Sequence, residues 1–156
     1  MPKYLLHVLV LLLILGGGRP ARIVSAAGVQ QLLIKQQYAI DVEVVISRAE
    51  QQLGLGHRKS LSHNKGMLFV YHTAGERVFW MKGMRFSIDI IWLKNGKIVH
   101  IAKKVPPPSV MAPKGTLKTY GHGVEADSVL EVVAGFADAH QLKNGDRVDV
   151  IEARLE

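Results

Sequence analysis

A small α+β domain, dominated by an antiparallel sheet that curls toward a barrel and carries two short helices, is the fold this sequence predicts. Three features lead there. Apolar and polar residues alternate over several short runs, the period of half-buried strands. Asn-Gly pairs at Asn95-Gly96 and Asn144-Gly145 separate such runs closely enough for tight turns. Only Ser47–Leu53 and Gly135–Leu142 have helical spacing, so six or seven strands outnumber two helices and an open or closed antiparallel sheet is the natural layer.

The N-terminus is set apart from that domain. Leu5 to Leu15 holds ten apolar residues in eleven, with Lys3 before it and Gly16-Gly17-Gly18-Arg19-Pro20 after it. As a helix it would reach about 16 Å, against a hydrocarbon thickness of about 30 Å, so it is too short to span a membrane. Small residues at Val24-Ser25-Ala26 complete the pattern of a secretory signal peptide over residues 1–26, the alternative being an uncleaved anchor. Cleavage after Ala26 leaves no stable membrane span. It also leaves 130 residues, a short N-terminal extension at 27–37 and one domain at 38–156, enough to bury a single core.

Loss of Lys3, Arg19 and Arg22 lowers the net charge from +7 to +4. That balance is mild, and a periplasmic or extracellular protein does not meet nucleic acid, so nucleic acid is excluded as a partner and envelope glycans or small molecules are favoured. The absence of cysteine excludes disulfides, thiolate metal sites and a cysteine nucleophile.

Along the domain, Ile40, Val42, Val44 and Ile46 alternate with Ala39, Asp41, Glu43 and Val45 as a first strand. Ser47-Arg48-Ala49-Glu50 is a capping-box start for a short helix that Gly54 and Gly56 end. A polar loop from His57 to Lys65 precedes a strand at Gly66–Tyr71. Thr73–Arg77 reads as a turn into a strand at Val78–Lys82, and Ile88–Leu93 forms the next. Asn95-Gly96 then closes a hairpin onto Lys97–Val105. From Pro106 to Asp127 no periodicity persists, and a loop so long is functional or mobile as a rule. Ser128–Val133 returns as a buried strand, Gly135–Leu142 as a helix, and Arg147–Glu152 as the last strand.

Several blocks, in order, are Leu53-Gly54-Leu55-Gly56-His57-Arg58, Gly66-Met67-Leu68-Phe69-Val70-Tyr71, Phe79-Trp80-Met81-Lys82, Ile88-Asp89-Ile90-Ile91, Val129-Leu130-Glu131 with Ala134-Gly135, and Gly145-Asp146. Together they resemble the family catalogued as domain of unknown function 192, from about Ala39 to Val150. The resemblance implies a compact, mainly β, often exported domain. It brings no activity and therefore no catalytic residue. Gly56 and His57 stand where many relatives carry methionine and a bulky residue.

Candidate functional residues cluster in Phe79–Leu93, which holds four of the ten aromatic residues. On a strand, Trp80 and Lys82 share one face and Phe79 and Met81 the other, so Trp80 is a stacking platform for a sugar or filler for the barrel, and Lys82 an anion-pairing group or a solvated one. Asp89 and Glu131 are each embedded in an apolar strand, where acids rarely lack a partner. Such a pair would serve general acid and base in glycan hydrolysis if suitably spaced; the alternative is structural pairing with Arg58, Lys82 or Arg85. The histidines form no zinc motif. Met67, Met81 and Met84 near His57 and His72 would suit copper(I) or simply fill the core. Ser60 and Ser62 beside His63 lack a nucleophile elbow, and no cofactor motif stands out. Lys114, Lys118, Tyr120 and His122 mark the long loop as a lid candidate.

The expectation is therefore an exported, non-catalytic binding or accessory domain of the cell envelope, recognising a sugar or anionic ligand through Arg58, Trp80, Lys82, Asp89 and Glu131 beneath the Pro106–Asp127 loop. A glycan hydrolase using Asp89 and Glu131 is one alternative, and copper(I) handling another.

Overall fold

A computed structural model describes residues 28–109 and 117–151. The leader proposed at 1–26 lies outside the described residues, as does Lys114. Among the described residues no helix is long and apolar enough to cross a membrane.

The chain runs β1 (Gly28–Ile34), β2 (Tyr38–Val45), α1 (Arg48–Leu53), β3 (Lys65–Glu76), β4 (Phe79–Trp80), β5 (Ile88–Lys94), β6 (Lys97–Val105), β7 (Thr119–Tyr120), β8 (Glu125–Val133), α2 (Phe136–Ala139) and β9 (Val148–Ile151). Seven strands form one sheet in the order β6-β5-β8-β3-β2-β1-β9, and β4 pairs with β7 beside it. Every pairing is antiparallel except β2 with β3, which α1 and its following loop connect.

The sheet curls until its edges meet at one end. The Ile98 amide donates to the Asp146 carbonyl at 2.9 Å, the Gly145 amide to the Ile98 carbonyl at 2.7 Å, and the Val148 amide to the Gly96 carbonyl at 2.9 Å. The Asn95-Gly96 hairpin, with φ of 52° and 69°, therefore does two things: it reverses the chain and presents the carbonyl that joins the seam. Positive φ at both central residues is what a type I′ turn demands.

Two apolar clusters lie on opposite faces of this sheet. Inside the curl, Leu32, Ile34, Val42, Leu68, Ile91, Leu130 and Val132 pack with Phe136 and Leu142 of the α2 region. On the outer face, Met67, Phe69, Ile90, Trp92 and Val129 pack beneath Leu55 and Met81. The central strands are thus covered twice, which is why Ile88 to Leu93 are all buried and read as a continuous apolar run instead of an alternating one.

Local departures from the sequence expectation have physical causes. Residues 28–34, read as an extension, form β1 between β2 and β9. β3 continues through Thr73–Glu76, with a bulge between Val70 and Gly75, where a turn was expected. The strand expected at Val78–Lys82 contracts to Phe79–Trp80, and its partner Thr119–Tyr120 comes from the long loop. That pairing requires Gly121, whose φ is 87° and where a Cβ would stand 2.5 Å from both the Arg77 carbonyl oxygen and the Trp92 ring. A two-residue strand offers no period to read.

Candidate functional site

The site is built on the outer face, where α1 lies over β3 and β8. Ser47 caps α1 and forms the full capping box: its hydroxyl accepts from the Glu50 amide, and the Glu50 carboxylate accepts from the Ser47 amide at 3.2 Å. No residue of α1 is buried, so this helix is held by its cap and by Gln51, which donates to the Val45 and Val70 carbonyls at 3.3 and 3.0 Å. It is placed as one wall of a cleft, not as part of the core. The chain leaves α1 through Gly54, with φ of 50°, and Gly56, where a Cβ would meet the Leu53 carbonyl oxygen at 2.7 Å. These two glycines bring the following turn close to the sheet and place Leu55 in the outer core.

Opposite α1, Phe79 fixes the short β4. Its ring stands edge-on to Phe69 and Trp92, with centroids 4.9 and 6.0 Å away. Trp92 is itself held by donation from its Nε1 to the Arg77 carbonyl at 2.7 Å. With Phe79 anchored inward, Trp80 must face outward, and it remains 46% exposed. Lys82 follows on the same side, its Nζ 5.8 Å from the centre of the Trp80 ring.

Between these walls opens a cleft of about 400 Å³. Arg48, Leu53, Tyr71, Val78, Trp80 and Lys82 are among its lining residues, and so is Glu131. Leu53, Val78 and Trp80 are three of the large apolar residues left exposed among the described residues, so exposed apolar surface gathers at this cleft. Its lining is more polar than apolar, and a concave surface with convergent polar groups beside exposed aromatic area is a form that small-ligand sites take.

Glu131 is its unusual member. It sits on β8 between Met67 of β3 and Ile90 of β5, is 4% exposed, and its Oε2 has no hydrogen-bond partner among the described residues. Burial pushes its carboxyl up to about 8, opposed only in part by the charge of Arg58, because an ion stripped of water and left without a partner is strongly disfavoured. At neutral pH it is therefore mainly the uncharged acid. Gly54 faces it; a Cβ there would lie 3.8 Å from Oε2. Tyr71 is also raised, to about 12, by burial first, with Glu131 adding to the rise, while the Arg77 guanidinium sits 3.9 Å from its ring centre.

Of the residues named from the sequence, Trp80, Lys82 and Glu131 share this cleft. Arg58 stands outside its lining, gripping Glu43 with both nitrogens at 2.6 and 2.7 Å. That hydrogen-bonded pair holds the Glu43 carboxyl below its ordinary range. Asp89 belongs elsewhere. It pairs in register with Val132 on the inner face, whereas Glu131 pairs with Ile90 on the outer. Its Oδ1 accepts from the Lys104 and Gly135 amides at 2.7 and 3.2 Å and its Oδ2 from the Ala137 amide at 2.8 Å. Asp89 thus ties the start of α2 to the sheet. With the two carboxyl groups on opposite faces, they cannot flank one glycosidic bond, and the paired-carboxylate arrangement expected of a hydrolase does not form.

Met67 and Met81 are packed in the outer core and serve as filler, and His72 is exposed; Met84 lines the cleft, and the His57 ring lies beside Gly83. Among the described residues no group of three histidine, cysteine or acidic side chains is placed to hold a metal ion. In the long loop, His122 is engaged with Thr119, Oγ1 to Nε2 2.7 Å, and with Glu76; Lys118 lies over Tyr120 at 5.2 Å. The described part of that loop flanks β4 and does not line the cleft. Arg48, Leu53 and Tyr71 escaped the sequence reading. The capping box located α1, but nothing local says which way its wall faces.

The chain matches the family described as Uncharacterized ACR, domain of unknown function 192, over residues 31–150. Two solved structures share its fold. One is a protein of unknown function from Novosphingobium aromaticivorans, 23% identical, covering 85% of this chain and 93% of that one with a TM-score of 0.68. The other is a candidate transcription regulator from Sinorhizobium meliloti, 20% identical, covering 81% and 96% with a TM-score of 0.69. No functionally curated protein matches the chain.

Proposed function

The chain belongs to the family of domain of unknown function 192, and since that family brings a fold without an activity, we propose from the site itself that the protein is a non-catalytic binding module for a small sugar or anionic molecule. The observation that carries this reading is the buried Glu131 carboxyl with an unpartnered oxygen in a cleft walled by exposed Trp80. An isolated buried polar group costs about 1–3 kcal/mol. A ligand that hydrogen-bonds to it offsets that cost, and the face of Trp80 supplies stacking area for a sugar ring or other flat apolar surface. Lys82 and Arg48 supply positive charge at the same cleft. The signal-peptide pattern of residues 1–26 supports service in the cell envelope, with periplasmic or extracellular glycans and metabolites as the available ligands.

The test is thermal unfolding of the full chain against a panel of envelope sugars, nucleotides and organic acids. Ligand at 100 times its dissociation constant adds about 2.7 kcal/mol, enough to raise the melting temperature by several degrees in a domain of this size. The expected result is a shift that Trp80→Ala removes without lowering the melting temperature of the free protein by more than a few degrees, since Trp80 contributes little to the core. A panel without a single shift, or shifts indifferent to Trp80→Ala, would exclude the cleft as a small-molecule site.

A further inference from the structure

Resting on the reading of the outer-face cleft as a binding site, the geometry points to a ligand that is a small hydroxylated anion, of the uronic-acid or hydroxy-acid kind, held by Glu131 as a neutral hydrogen-bond donor, with Lys82 and Arg48 receiving the anionic group. Binding of such a ligand is coupled to the proton that Glu131 carries.

The argument begins with what faces Glu131. From the turn after α1, Arg58 acts on it with its positive charge, but Nη1 and Nη2 of its guanidinium are committed to Glu43 of β2. From β3 the facing group is Tyr71, a neutral phenol beneath the Arg77 guanidinium. β5 contributes Ile90 and no charge. From α1 and the segment after β4 come Arg48 and Lys82, which line the cleft and are exposed. Among the described residues no partner reaches Oε2, so an ionised carboxylate there has only the charge of Arg58 in its favour, and burial outweighs it to favour the protonated acid.

A neutral carboxyl donates one hydrogen and accepts another, which complements a hydroxyl or carbonyl oxygen. It offers an ammonium group no compensating charge. Among the described residues Glu131 is the sole acid of the lining, whereas two cations share it, neither in an ion pair. The local field therefore selects anions over cations. The cleft combines a buried carboxyl, positive charge on exposed side chains and an exposed aromatic face. A hydroxylated carboxylate carries groups complementary to each of them.

The probe is D-glucuronate, with D-glucose as its neutral counterpart and choline as a permanently cationic hydroxylated one, titrated onto the full chain from about pH 6 to pH 9.5. D-Glucuronate is expected to bind at least about tenfold more tightly than D-glucose, and choline more weakly than either. Its dissociation constant should be flat up to about pH 8 and then rise about tenfold per pH unit, as Glu131 loses the hydrogen it donates. Near pH 8.5 the binding heat should depend on the buffer's ionisation enthalpy, reporting proton uptake. Glu131→Gln has no proton to lose, so whatever its affinity at pH 6, the dissociation constant should stay flat to about pH 9.5, with circular dichroism used to check that the variant is folded. Native binding that is independent of pH, a slope that survives in Glu131→Gln, or choline binding at about pH 6 that is tighter than that of D-glucuronate overturns the inference. If all three probes fail while another molecule gives a Trp80-dependent shift, this ligand class is wrong and the binding reading stands. If nothing shifts, both fall.

Discussion

Glu131 and Asp89 have the same kind of neighbours in the sequence, apolar β residues on both sides, and opposite circumstances in the fold. Asp89 is buried with three backbone amides donating to it. Hydrogen bonds to a charged acceptor contribute about 1.5–3 kcal/mol each, and orphaning buried donors is costly; Asp89→Ala should therefore destabilise the protein by at least about 3 kcal/mol in urea unfolding, and an unchanged midpoint would remove Asp89 from the α2 anchor. Glu131 behaves in the reverse sense. The folded chain keeps its proton up to about pH 8, while the unfolded chain releases it above about pH 4.5. Between those values the unfolded state binds fewer protons, so stability falls as pH rises, by about 1.4 kcal/mol per pH unit for a fully buried group, and levels off above about pH 8. Glutamine has no proton to lose. Glu131→Gln is expected to match the native stability near pH 4.5 and to exceed it by a few kcal/mol at pH 9, measured as parallel denaturation series; a native chain more stable at pH 9 than its Gln variant would show that the carboxylate has a partner. A stabilising substitution at a lining residue is the usual mark of a group kept for function rather than for folding.

Among the elements, α1 was fully legible, β4 only as part of a longer strand at Val78–Lys82, and β7 not at all. The capping box Ser47-Arg48-Ala49-Glu50 is a local device, formed by residues three apart, and it appears in the fold as the sequence implies. The Asn95-Gly96 hairpin is equally local. β4 and β7, by contrast, are two residues each and exist only because Phe79 wedges between Phe69 and Trp92 and Gly121 permits a close approach. No window of sequence contains that information. Because α1 buries none of its residues, its cap is a large share of what fixes it. Ser47→Ala should cost about 1 kcal/mol of global stability and loosen the cleft wall that carries Arg48 and Leu53. The expected result is a several-fold weaker affinity for any cleft ligand, with the Trp80 surface intact. Equal affinity in the variant would mean that α1 contributes shape alone.

At the scale of the molecule, the curled sheet is completed by its last strand. β9 lies against β1 on one side, and the residues leading into it meet the β5–β6 hairpin at the seam. Deleting the chain after Arg147 removes Val148, an inner-core residue, and leaves Leu32 and Ile34 of β1 without the neighbouring strand. Such a truncation should lose its cooperative thermal transition and bind a hydrophobic dye, and a sharp transition retained without β9 would show that the inner core closes without the seam. The sequence by itself determined the fold class, the capped helix, the main hairpin and the common face of Trp80 and Lys82, because turn chemistry, capping and a period of two are properties of neighbouring residues; that this face is the outward one follows from the packing of Phe79 against Phe69 and Trp92. Tertiary structure alone decided which of the two acids faces the cleft and which ties down a helix. β5 and β8 are packed on both faces, and where both faces are apolar the alternation that distinguishes inside from outside disappears from the sequence; only the register of one strand against the next restores it.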